Sequence, residues 1–354
     1  MALRRAVGQV ANVDGPKAQA VSEIKHYWSK AREEVAKLGS QPPVASSADL
    51  TTSKKVSLEA LQPAVDAFEQ AIGAARRYAG HPWEGDSCQI WIELGQLALK
   101  HDHVPLAVNA LGEAHLATTL LKQQDVASAA NTTIALKEYG TALLRLGSAV
   151  HGRVQQLVQQ AKGSGSAAAD ATNPTLIASD IASRQVAAYD LLFAARFYLR
   201  RLRDIQTACH GPDDQLLLNT LLLLSQASSQ QQRMDVALEC LQTNIRIKQS
   251  KALPTATAEK SLQQVQSWLD GVKGRGVKAE RAVKAMWEKD DLACDEFAQR
   301  EALCGEAWKM ICALYGMCKR AAETMRPALK PRELRGVPST ALQSQHASPP
   351  PPQP

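Results

Sequence analysis

Apolar residues recur at steps of three and four through most of the chain, the spacing that gathers them on one face of an α-helix. Val21, Ile24, Trp28, Ala31, Val35 and Leu38 make such a face within 17–38, and Gly39 marks its end. A Ser/Thr-rich stretch over 40–55 with Pro42-Pro43 reads as a loop. From Ser57 the pattern predicts helices over 57–78, 87–100, 103–122, 125–146 and 149–162, taken in pairs and joined by turns that carry Gly, His, Pro or Asp. The small, polar run Gly163–Pro174 has the composition of a flexible linker or long loop. Further helices are predicted over 176–209, 215–228, 234–248, 255–271 and 277–326, the last bending near Asp290-Asp291 or Gly305. The Pro-rich end, closing on Ser348-Pro349 and more prolines, is expected to be disordered with polyproline II character. The chain thus divides into a leading helix and loop (1–56), helix pairs (57–162), a linker (163–175), further pairs with capping helices (176–326) and a tail (327–354).

A repeat underlies the helices. Trp91, Leu94, Gly95 and Ala98, followed by Ala107, Leu111 and Ala114, form a signature of two antiparallel helices. The small Gly95 and Ala107 let the helices approach closely, while Trp91, Leu94 and Leu111 fill the space between them. Second-helix echoes start at Ala64, Val150, Ala194 and Ala237, so that 64, 107, 150, 194 and 237 step by 43, 43, 44 and 43 residues. Leu221, Leu224, Ser225 and Ser228 repeat the first helix ahead of Ala237; ahead of Val150, Leu136, Tyr139, Gly140 and Leu143 do so two residues early. This pattern resembles the tetratricopeptide repeat, in a long-period form like that of kinesin light chains, with Thr119 where the family usually has Pro. The likeness is at repeat level and spans roughly 57–250.

The resemblance implies an all-α fold, an α-solenoid of about five antiparallel helix pairs wound into a superhelix, opened by the leading helix and capped by the C-terminal helices. It also implies a groove lined by the first helix of each pair. Carried onto this sequence, the groove positions are Gln89, Ile92, Gln96 and Leu99, then Lys137 and Thr141, then Asn219, Leu222 and Gln226. Amide and aliphatic groups suit a peptide segment of a partner protein, pairing its backbone and packing its side chains. The Lys, Asn and Arg with which some members clamp acidic chaperone tails are not supplied by Gln89, Ile92, Glu93 and Gln96. The implied role is a non-catalytic adaptor or scaffold within a transport, ciliary or chromosome-associated assembly.

Composition agrees with helices: aromatic residues are only 5% of the chain, too few for an ordinary β-sandwich. Seven cysteines, an odd number scattered over 354 residues, fit a reducing compartment, cytoplasmic or nuclear, rather than a disulfide scaffold. The most apolar run, Leu216–Leu224, is too short to span a bilayer, so no membrane insertion is expected. Met1–Val7, with two Arg and no acid before Asp14, suits a frayed terminus or a short presequence. His101-Asp102-His103 has the look of a metal pair but falls at a predicted tight turn, and Cys304, Cys312 and Cys318 match no zinc spacing and read as packed small hydrophobes. With no phosphate loop, nucleophile elbow or zincin motif, neither catalysis nor a cofactor is expected.

The net charge of +6 is mild, yet two basic clusters support a rival reading, a nucleic-acid-associated factor. Arg196, Arg200, Arg201 and Arg203 interleave with Phe197 and Tyr198 on one helix, the arrangement of a single-strand stacking platform, and a row of Arg also grips acidic peptides. Lys273, Arg275, Lys278, Arg281 and Lys284 form the second cluster.

Overall fold

The computed structural model describes residues 14–40, 56–78, 86–120, 126–163 and 174–325. The N-terminal run read as a frayed terminus or short presequence, the loop over 41–55, most of the linker and the Pro-rich tail lie outside the described residues. Within them every regular element is an α-helix: α1 (Asp14–Ser40), α2 (Leu58–Tyr78), α3 (Asp86–Lys100), α4 (Val104–Leu120), α5 (Val126–Gly163), α6 (Pro174–His210), α7 (Leu217–Gln230), α8 (Met234–Ser250), α9 (Ala256–Gly274) and α10 (Val277–Met325).

Helices pack as α1 with α2, α3 with α4, α5 with α6 and α7 with α8, and each pair then packs on the next. This is an α-solenoid of antiparallel helix pairs. The leading helix is not a preface to the array but the first helix of its first pair: Ile24 and Ala31 of α1 join Leu61, Phe68 and Ile72 of α2 in one core. Close approach sets the pairs. A β-carbon on Gly95 would fall on the Leu111 side chain, within 2.6 Å of Cδ2, and one on Gly140 or Gly147 would come within 2.9 Å of Leu199 or Leu192. Along α5 and α6 the partners run in opposite order, Gly140 with Leu199 and Gly147 with Leu192, as an antiparallel pair requires.

The units α3/α4 and α7/α8 match position for position at an offset of 130 residues. Leu94, Gly95, Ala98, Ala107, Leu111 and Ala114 correspond to Leu224, Ser225, Ser228, Ala237, Leu241 and Asn244, and all twelve are buried. Their turns match as well. In the first, Asp102 has φ 62°, and His103 N donates to Ala98 O while Asp102 N donates to Leu99 O. In the second, Gln232 has φ 61° and Arg233 N donates to Ser228 O. Both close the helix end with a left-handed residue and a reversed pair of hydrogen bonds.

Between these two units the 43-residue period misleads. The sequence predicts a break between 146 and 149 and a second helix starting near Val150, but α5 runs 38 residues unbroken and Val150 lies within it. The second helix of that unit is α6, with Ala195, Leu199 and Leu202 buried, one register later than Ala194, Tyr198 and Arg201. One pair of double-length helices therefore occupies two periods, and the described array has four pairs, not five. Gly147 does not stop α5 because the Leu192 side chain fills the place a larger residue would take. The linker composition after Gly163 separates the two helices of one pair rather than two halves of the molecule.

Beyond α8 the chain adds α9 and then α10, which spans 49 residues, about 74 Å at the usual rise. It continues as helix through Asp290-Asp291 and Gly305. It also turns back along the array, reaching α4 from α9.

Candidate functional site

The expected groove positions sit on α3, α5 and α7, and successive members of this set touch: α3 with α5, α5 with α7. Gln96, Asn219 and Gln226 are exposed, while Gln89, Lys137, Thr141 and Leu222 are half-buried. Some are already engaged. Gln89 Nε2 donates to Glu93 Oε1 at 3.4 Å, Thr141 Oγ1 donates to Lys137 O at 2.7 Å, and Lys137 Nζ lies 3.7 Å from Glu138. Ile92 and Leu99 are not groove residues. Ile92 is 1% exposed, packed among Cys88, Ala114, Ala117 and Ala135, and Leu99 joins Ala98, Ala107, Leu111 and Ala142. Both fill the seam between unit α3/α4 and α5.

At the α1 end of this face stands a clamp that the sequence did not announce. Arg32 donates to both Glu93 oxygens at 2.6 and 3.1 Å, Trp28 Nε1 donates to Glu93 Oε2 at 2.8 Å, and the Arg32 guanidinium stacks on Trp28 at 4.4 Å. Burial pushes the Glu93 carboxyl up, but the hydrogen bonds from Arg32, Trp28 and Gln89 outweigh it and hold the carboxyl below its ordinary value. The one signal in the sequence was the four-residue step from Trp28 to Arg32.

The first basic cluster is dismantled as a surface. Arg196 is 3% exposed, and its Nη2 donates to Asp290 Oδ2 of α10 at 2.5 Å. Arg201 pairs with Glu301 of α10 at 3.0 Å, and Arg203 with Asp204 at 2.9 Å; of the four, only Arg200 is exposed and makes no hydrogen bond or ion pair with the described residues. Phe197 and Tyr198 are no stacking platform, for Phe297 of α10 packs against them at 4.9 and 6.3 Å and against Phe193 at 5.6 Å. Lys273, Arg275, Lys278, Arg281 and Lys284 are exposed as expected, with Lys273 near Asp270 at 3.6 Å.

What replaces the platform is a seat for α10. Asp290 accepts from Arg196, from Arg233 Nη1 at 2.5 Å and from the Tyr189 hydroxyl at 3.0 Å. Arg233, in the α7–α8 turn, also holds Asp291 and Asp235. Burial alone would lower the Arg233 value, but its bonds to Asp235, Asp291 and Asp290 raise it, so the cation is fixed. Tyr189 is pushed up to about 12 by burial, then by the charge and hydrogen bond of Asp290, and stays a donor. Farther along, Glu301 bridges Arg201 and His115 Nε2, the latter at 2.8 Å and 186 residues away in sequence. Trp287 Nε1 donates to Gln232 O at 2.9 Å.

His103 Nε2 meets Val56 O at 2.9 Å, which ties the α3–α4 turn to the chain before α2. Among the described residues no three His, Cys, Asp or Glu side chains converge as metal ligands. Cys304 is exposed, not packed as the sequence suggested; Cys312 and Cys318 lie outside the residues whose side chains are described. A cleft of about 510 Å³ between α6 and α8 is walled by Arg203, Glu239, Cys240 and Arg246. Its cations are paired within the chain, Arg203 with Asp204 and Arg246 with Asp213 at 2.8 Å, and burial pushes the Cys240 thiol up to about 12. No helix among the described residues is long and apolar enough to cross a membrane.

No protein-family model matches this chain, and no curated protein matches it. Among solved structures, the apo form of RapI aligns with 84% of this chain and 99% of that chain, at 13% identity and a TM-score of 0.28. A likeness that slight carries no argument, and the assignment of the fold rests on the helix pairs themselves.

Proposed function

We propose that the chain is a non-catalytic interaction scaffold that holds a peptide segment of a partner protein along the face of α3, α5 and α7. The observation that carries this reading is the row Gln96, Asn219 and Gln226. All three are exposed amides on first helices, Gln96 and Gln226 at the same offset, and none makes a hydrogen bond to the described residues. An amide offers both a donor and an acceptor, so such a row can pair with the backbone of an extended segment whatever its side chains. Half-buried Leu222 supplies apolar contact beside Asn219. The likeness to long-period tetratricopeptide arrays supports the same role within a larger assembly.

A pulldown from native extract, with wild type beside a Gln96→Ala/Asn219→Ala/Gln226→Ala variant, tests it. Proteins retained by wild type, resistant to nuclease and lost with the variant support the scaffold; capture that ignores all three changes overturns the face. One observation favours a second reading: Arg275, Lys278, Arg281 and Lys284 are exposed and pair with no acid among the described residues. Should nuclease release the retained proteins, and binding fall steeply with salt, that row carries a nucleic-acid function instead.

A further inference from the structure

We propose that the seat beneath α10 is a docking site for an amphipathic helix of another protein, one presenting acidic and aromatic side chains at the spacing of Asp290, Phe297 and Glu301, and that α10 fills this site in cis. The inference rests on reading the array as an interaction scaffold, but it concerns a different face. The seat belongs to the array proper: His115 on α4, Phe193, Arg196, Phe197 and Arg201 on α6, and Arg233 in the α7–α8 turn. Three guanidiniums and an imidazole around an aromatic patch are complementary to one kind of helix, acidic at its edges and aromatic at its centre. α10 shows what fits, since its two Asp and its Glu meet the cations and Phe297 enters the patch.

Two observations mark α10 as an exchangeable occupant. Its hold is thin: over 277–304 only Asp290 and Cys294 are buried, whereas α7 and α8 bury seven residues each. A helix with so little buried surface opens at a lower free energy than the core beneath it. Its fit is also incomplete. Arg196 Nη1 lies buried without a hydrogen-bond partner among the described residues, although the side chain bonds α10 through Nη2. A buried donor left unpaired is costly, so a helix that brings one more acceptor to Arg196 gains over α10.

The test uses the full chain, under reducing conditions, with a fluorescent synthetic peptide of residues 287–305 as the probe. Phe297→Ala/Glu301→Ala loosens the helix in cis and vacates the seat. The loosened variant is expected to bind the peptide about tenfold or more tighter than wild type, because apparent affinity scales with the vacant fraction. Adding Arg201→Glu to it should cut that gain. Equal weak binding by both proteins overturns the proposal, and so does dimerisation of wild type that the loosened variant loses, which assigns the seat to α10 of a second copy. If the variant does not fold, hydrogen exchange of wild type decides. Amides of 288–304 that exchange well ahead of α6 support an exchangeable helix, and amides that exchange in step with α6 make α10 a fixed cap. Gln96→Ala/Asn219→Ala/Gln226→Ala should leave peptide binding unchanged, so failure of the first-helix face and failure of the seat are read separately.

Discussion

Asp102, Gln232 and Ala252 each end a helix with φ between 53° and 62°, where a side chain meets the following carbonyl. Ala252 is exposed, so Ala252→Gly should raise stability by about 1 kcal/mol, measured by urea unfolding. Glycines predict the opposite sign according to their surroundings. Gly95→Ala drives a methyl into fully buried Leu111 and should cost about 1–3 kcal/mol despite the better helix propensity of Ala. Gly271→Ala, with nothing within 4 Å, should gain about 0.5–1 kcal/mol. Glu93 makes a pH prediction. Its carboxyl is held below the ordinary value in the fold, so the clamp contributes fully above the ordinary carboxylate range and is lost as pH falls through the folded value. The gap in melting temperature between wild type and Glu93→Gln should therefore be widest near neutrality and close on acidification; a gap that ignores pH removes the clamp as its cause.

The elements differ in what holds them. α7 and α8 are fixed by apolar burial on both sides, Leu217, Leu221 and Leu224 facing Cys240 and Ile247 in one core. α10 is fixed by charge. Asp290 stands between two buried guanidiniums, and Asp290→Ala, which strips Arg196 of the only carboxylate it meets among the described residues, should cost more than the loss of an exposed pair, up to the free energy that docks α10. Arg201→Ala, which removes a partly exposed pair, should cost no more than about 1 kcal/mol. The order of these two values, read from denaturant unfolding, checks whether the buried end of the seat or its exposed end fastens the helix. The long pair α5/α6 is the element the sequence disguised: its residues keep the helical spacing, and only Gly140 and Gly147 against Leu199 and Leu192 show which helix each belongs to.

At the scale of the whole molecule, a solenoid transmits little beyond neighbouring pairs, because each unit contacts only the next. α10 breaks that rule by joining α9 to α6 and α4 through Glu301. Loosening it with Phe297→Ala/Glu301→Ala is expected to lower hydrogen-exchange protection in α4 while leaving α8 as it was. If α4 and α8 lose protection together, the array opens as one unit and α10 does not couple its parts.

The sequence by itself determined the helices and the architecture. Periods of three and four, with turns between them, placed nine of the ten described helices near their observed bounds, and the small residues Gly95 and Ala107 identified the close-packed pair. Those are local properties of spacing and size. The amides of α3 and α7 were likewise legible, because Asn219 and Gln226 repeat Gln89 and Gln96 at an offset of 130 residues. Tertiary structure alone decided which apolar groove positions sink into a seam, as Ile92 and Leu99 do, and which of a row of arginines stays in water. That choice depends on Asp290 and Glu301, about a hundred residues away, returning on α10 to meet them. A pairing across such a distance leaves no periodicity in the chain, since it is set by where a helix runs rather than by how its residues are spaced.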